Sequence, residues 1–205
     1  MSRSSSPAER RSMPDARGLG AWLGRSFLKL AGWRLEGAPP ALPKYVVIAA
    51  PHTTNWDLPF MLAVGLSYGV KVSWFGKASL FRPPLGYFSR ALGGIRVGRG
   101  KGNNQVEQAV RLFGERDQLV LAVPPEGTRG RTRYWRTGFY FIADGASVPI
   151  VLGFLDYARK VGGVGGVIVP TGSIESDMRE ISAFYSGVTG KYPTLQGEVQ
   201  IADRT

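Results

Sequence analysis

Four short, continuous apolar runs recur along the chain: YVVIAAP at 45–51, VKVSWFG at 70–76, QLVLAVP at 118–124 and VPIVLGFLD at 148–156. A strand with one wet face alternates apolar and polar residues, whereas a run that stays apolar throughout is covered on both faces. Between these runs lie stretches with helical spacing. Asp57 opens one of them, with Pro59 suited to its first turn and Gly65 or Gly69 to a late turn or stop. Residues 80–94 mix loop and helix. Asn103 or Asn104 is placed to cap a helix over 105–115, with Val106, Ala109, Val110 and Phe113 on one face. Residues 137–146 read as a helix ending near Gly145, 166–170 as a fifth strand, and 175–187 as a closing helix with Met178, Ile181 and Phe184 inward. Two-sided strands alternating with helices imply a single α/β domain, a mixed or largely parallel sheet flanked by helices. No internal repeat and no linker divides it.

The N-terminal part has its own character. Residues 1–18 hold no apolar core of the signal-peptide kind and read as a solvated basic tail. Residues 19–36 read as an amphipathic helix, with Leu19, Trp22, Leu23, Phe27 and Leu30 at helical intervals and Arg25, Lys29 and Arg34 interleaved. A Pro-rich break, GAPPALPK, separates it from the domain at 37–205. Two readings of this helix stand level. In one it lies in a membrane interface, Trp22, Phe27, Leu30 and Trp33 toward lipid and the cations toward headgroups. In the other it packs on the domain's own core. No apolar run reaches the roughly 18 residues of a spanning helix.

Charge narrows the partners. The chain of 205 residues has a net charge of +11, and residues 71–136 hold thirteen Lys/Arg against four Asp/Glu. Such clustering implies an anionic partner: nucleic acid, an acidic lipid surface or a phosphorylated substrate. With no cysteine and one histidine, disulfides and Cys-based sites are excluded and a transition-metal site is poorly supported. Gly65-Leu66-Ser67-Tyr68-Gly69 matches a nucleophile elbow in letters only, because it ends a helix and follows the histidine instead of preceding it. Residues 93–102 lack the first glycine of a P-loop, and 162–167 lack the third glycine of a dinucleotide fingerprint.

Three blocks carry chemistry. His52, the single histidine, stands just past the first apolar run, and Asp57 follows five positions later at a helix start. A neutral imidazole removes a hydroxyl proton near neutral pH if a carboxylate on its other nitrogen fixes the tautomer. Pro125-Glu126-Gly127-Thr128-Arg129 follows a strand, and such a turn, with its amides, hydroxyl and guanidinium, suits an oxyanion or phosphate. Gly94-Ile95-Arg96-Val97-Gly98-Arg99 adds two arginines on a strand-like segment.

In this order the blocks resemble the glycerolipid acyltransferase family, which includes the 1-acylglycerol-3-phosphate acyltransferases. The family's His-x-x-x-x-Asp matches 52–57, its Pro-Glu-Gly-Thr-Arg matches 125–129 without a change, and its Val-Pro-Ile-Val matches 148–151. Gly98, Gly130 and Arg136 depart from common family residues and leave the acceptor open. The resemblance implies O-acyl transfer from acyl-CoA or an acyl-carrier protein to the hydroxyl of a lysophospholipid, first of all 1-acylglycerol-3-phosphate, in phospholipid biosynthesis. His52 would be the base and Asp57 its orienting acid. Glu126, Gly127, Thr128 and Arg129 would position the acceptor, with Arg129 and Arg99 on its phosphate. No metal and no cofactor beyond the acyl donor is expected. The expected setting is peripheral, on the cytoplasmic side of an anionic membrane, with no nucleic-acid partner. The alternatives are a non-phosphate lipid acceptor, or a non-catalytic basic protein binding membrane or nucleic acid. His52, Asp57 and Glu126 argue against the last.

Overall fold

The computed structural model describes residues 18–97 and 105–202. The basic tail up to residue 17, the capping Asn103 or Asn104, and Arg99 lie outside the described residues. In chain order the elements are α1 (Leu19–Leu30), β1 (Arg34–Glu36), β2 (Lys44–Ala50), α2 (Asp57–Ser67), β3 (Val72–Gly76), α3 (Leu85–Ala91), β4 (Gly94–Arg96), α4 (Gln105–Glu115), β5 (Leu119–Val123), α5 (Gly138–Gly145), β6 (Ile150–Asp156), β7 (Val161–Ile168) and α6 (Ile174–Tyr185). Short 3-10 turns occupy Ala78–Phe81 and Pro193–Leu195.

Among the described residues the strands form one seven-stranded sheet in the order β1-β7-β6-β2-β5-β3-β4, parallel throughout except where β7 runs antiparallel to β6. The expected α/β domain with a largely parallel sheet is therefore what the chain folds into. The continuous apolar runs occupy the middle of the sheet because side chains leave both faces there. Val46, Ile48 and Ala50 of β2, Leu119 and Leu121 of β5, and Ile150, Leu152 and Phe154 of β6 enter a core with α4, α5 and α6. Their neighbours Tyr45, Val120, Ala122 and Val151 face the other way, toward α2. Right-handed crossovers fix which helix covers which face. The chain moves one way from β2 through β3 to β4, and back from β4 through β5 to β6. So α2 and α3 share one face with α1, and α4 and α5 take the other. Trp74 leaves β3 on the side of Val72 and donates its indole N–H to the Leu92 carbonyl at 2.9 Å, which holds α3 on the α2 face.

Three expectations change. The N-terminal helix stops at Leu30, and residues 34–36 become strand β1, paired with Val161–Gly163. Trp33 is buried among Leu28, Val64, Tyr68 and Phe60 instead of facing outward. The fifth strand starts at Val161, five residues before the expected 166. Its sequence, VGGVGGVI, shows no period because glycines occupy the positions where backbone or rings come closest. A Cβ on Gly163 would run into the Glu36 carbonyl, and one on Gly165 into the Phe184 ring.

Candidate active site

β2 and β5 are neighbours, yet the segment after β2 leads to α2 on one face and the segment after β5 leads to α5 on the other. In a parallel sheet such divergence opens a crevice at the carboxyl ends of the two strands. The loop at 51–56 and the turn at 125–129 meet there.

Asp57 is the first residue of α2 and is 5% exposed. Its Oδ2 accepts the backbone N–H groups of Thr53 and Thr54, each at 2.9 Å, and lies 3.1 Å from His52 Nδ1. Its Oδ1 accepts the Tyr157 hydroxyl at 2.8 Å. Four donors thus hold one carboxylate immobile at the start of the helix. A carboxylate facing Nδ1 puts the ring hydrogen there, which leaves the Nε2 lone pair as the basic site. Thr53 is pinned in turn, its hydroxyl accepting the Tyr192 N–H at 3.2 Å.

Glu126 is 4% exposed, and its carboxylate accepts the His52 backbone N–H at 2.6 Å. Burial pushes its carboxyl above the ordinary carboxylate range, and the bond from His52 pulls partly the other way. Its contact is therefore with the histidine loop. Gly127 sits at φ +65°, and a Cβ there would fall 2.7 Å from Arg136 Nε. Only glycine allows both that backbone and the guanidinium lying against it. Arg129 donates to the Asn55 side-chain oxygen and so ties the turn to the histidine loop a second time. Thr128 accepts the Gly130 N–H at 3.3 Å at the exposed tip of the turn, off the cleft wall.

Below this assembly runs a cleft of about 730 Å³. Its polar end holds His52, Asn55, Lys77, Arg129 and Arg136. Its floor and walls on the α2 side are apolar: Val47, Met61, Val72, Val120, Ala122 and Leu155. The lining offers a base, cations and an apolar trough together, which fits a substrate with a polar head and a long hydrocarbon part. Among the described residues no three His, Cys, Asp or Glu side chains cluster as a metal ion would require.

Tyr157, Asn55 and Lys77 escaped the sequence reading. Lys77 and Tyr157 each directly follow an apolar run that ends at the crevice edge of the sheet, the place where ligand-facing residues collect in such folds. For Tyr157 burial is the larger cause, and the bond to Asp57 the next, of a hydroxyl pKa pushed well above that of free tyrosine.

The acyltransferase family model matches residues 36–171, about two-thirds of the chain. The fold is similar to that of the 1-acyl-sn-glycerophosphate (LPA) acyltransferase PlsC from Thermotoga maritima, with a TM-score of 0.56 and 16% identity over 83% of this chain and 80% of that one. No curated protein is significantly similar in sequence.

Proposed function

The chain belongs to the acyltransferase family, and on that footing we propose that it moves a fatty acyl group from a thioester, acyl-CoA or acyl-carrier protein, to the hydroxyl of a lysophospholipid, first of all 1-acylglycerol-3-phosphate. The observation that carries this is the His52–Asp57 pair, 3.1 Å apart at the polar head of an apolar cleft. His52 Nε2 takes the proton of the acceptor hydroxyl as its oxygen attacks the thioester carbonyl carbon. The tetrahedral intermediate collapses by breaking the C–S bond, and the imidazolium returns the proton to the departing thiolate. The products are the new ester and the free thiol, with no acyl-enzyme between them.

The cations at the cleft head give the reading its phosphate. Arg129 and Arg136 line it together with Lys77, and a guanidinium is well shaped for phosphate oxygens. Arg99 belongs to the same reading through its sequence position alone. Gly127 and Thr128 shape the turn that presents Arg129, and Glu126 acts on the acceptor indirectly by holding the His52 loop. The enzyme would work as a peripheral protein on the cytoplasmic side of an anionic membrane, with the exposed side of α1 in the interface. No described helix is long and apolar enough to cross a bilayer.

The test is thiol release from acyl-CoA with and without lysophosphatidic acid, beside lysolipids that lack the phosphate. Release that depends on the phosphate-bearing acceptor supports the proposal; equal rates with phosphate-free acceptors would overturn the acceptor assignment. His52→Ala should lower turnover roughly 100- to 10,000-fold, and Asp57→Asn should lower it by presenting the wrong tautomer. Retention of near wild-type turnover by either variant would remove the proposed base.

A further inference from the structure

α1 and α3 invert the usual amphipathic arrangement. α1 turns Ala21, Gly24 and Leu28 inward, and Gly24 sits so close to α2 that a Cβ would fall 2.6 Å from the Ala63 carbonyl oxygen. Most of its other large apolar side chains point out: Trp22 is 63% exposed and Leu30 is 90% exposed. α3 does the same with Gly86 and Ser89. Gly86 packs on the Phe81 backbone, and the Ser89 hydroxyl donates to the Leu80 carbonyl at 2.7 Å. Tyr87 at 70% and Phe88 at 67% exposure stand on its outer side, with Leu85 and Leu92 beside them. The opposite layer behaves normally: α4, α5 and α6 carry none of the exposed large apolar side chains among the described residues.

Charge divides along the same line. α4, α5 and α6 hold six Asp/Glu against two arginines. From Leu58 to Val97, the stretch that contains α3, there are five Lys/Arg and no acid. A second copy of the chain docking through this side would bring like charges together. An anionic lipid leaflet offers both what the aromatics and what the cations want.

We propose that α3 is a second bilayer contact, with Tyr87 and Phe88 entering the headgroup boundary of an anionic leaflet while Arg82 and Arg90 meet its phosphates. This rests on the reading of α1 as a membrane contact and adds an independent point to it. The cleft is walled by α2 on one side and by the Lys77–Leu80 lead into α3 on the other. Two contacts straddling it would set its polar end against the leaflet and let an acceptor enter without crossing water.

The chain has no cysteine, so Phe88→Cys gives a single site for a polarity-sensitive fluorophore in the full-length protein. Leu23→Cys reports on α1 in the same way, and Glu180→Cys, exposed on α6, is the control. With phosphatidylcholine vesicles containing phosphatidylglycerol, the label at 88 should brighten and shift to the blue, and the label at 180 should not. Tyr87→Ser with Phe88→Ser should weaken vesicle co-sedimentation by about tenfold or more without lowering the melting temperature. Thiol release with a short-chain, monomeric lysolipid should stay unchanged in that double variant. A response at 23 but not at 88 would overturn the α3 contact and leave the α1 reading standing. No response at either position would overturn both. A wild-type dimer that the serine variant dissociates, with vesicle binding intact, would make this face a protein interface and overturn the proposal.

Discussion

A single hydroxyl decides how well the base is oriented. Asp57 has two oxygens, and only Oδ2 faces His52; Oδ1 is held by Tyr157. Removing that donor leaves Oδ1 without its partner and the carboxylate held through Oδ2 alone, which loosens its hold on the ring. Tyr157→Phe should lower kcat by about tenfold, the scale of one charged hydrogen bond, with both KM values unchanged. A raised acceptor KM instead would make Tyr157 a substrate contact. Glu126 offers a second case at this scale. Its carboxyl titrates above the ordinary 4.5 because of burial, so the folded protein holds that proton more tightly than the unfolded chain. The stability this contributes is present below the unfolded pKa and lost as pH rises through the folded one. Glu126→Gln keeps an acceptor for the His52 N–H and cannot ionise. Its melting temperature should therefore improve relative to the wild type as pH is raised above about 4.5. Glu126→Ala removes the acceptor and should cut kcat with little change in acceptor KM. A selective rise in that KM would return Glu126 to the acceptor site.

At the scale of the element, what could be read in the chain follows the physics of each segment. β2, β3, β5 and β6 were legible because strands buried on both faces need continuous apolar runs. The placing of His52 past β2 and Asp57 at the start of α2 followed from where those runs end. β7 was half hidden because its glycines exist to let Glu36 and Phe184 approach, and a glycine leaves no mark of face or period. β1, three residues long, has no pattern to show. Tyr157 was invisible because its partner lies 100 positions away. The two readings of the N-terminal helix stood level for a related reason: apolar spacing shows that a face exists and says nothing about what covers it. The folded helix has two such faces. Its small residues and Leu28 dock on α2, Trp33 beyond it closes over Tyr157 with ring centroids 4.8 Å apart, and Trp22, Leu23 and Leu30 remain outside. Deleting residues 1–36 should therefore lower the melting temperature and weaken vesicle co-sedimentation together. Trp22→Ser with Leu30→Ser should weaken co-sedimentation alone. An unchanged melting temperature on deletion would mean that α1 and β1 add nothing to the core.

Across the whole molecule one cause should act with two signs. A net charge of +11 repels itself in the folded state and attracts an anionic leaflet. Added salt screens both, since the Debye length falls from about 10 Å at 0.1 M to about 3 Å at 1 M. Raising salt should thus weaken binding to phosphatidylglycerol-containing vesicles and, over the same range, hold or raise the melting temperature. The buried contacts at the site give no reason for an opposite effect, because Asp57 and Glu126 are satisfied by short-range hydrogen bonds within the fold. Binding to pure phosphatidylcholine vesicles, which depends on the apolar side chains alone, should be weaker at low salt and nearly flat with salt. Co-sedimentation and thermal unfolding measured along one salt series check both signs at once. A melting temperature that falls in step with vesicle binding would mean that the surface cations stabilise the fold through ion pairs. The excess charge would then be structural, and the anionic membrane would lose its main support as a partner.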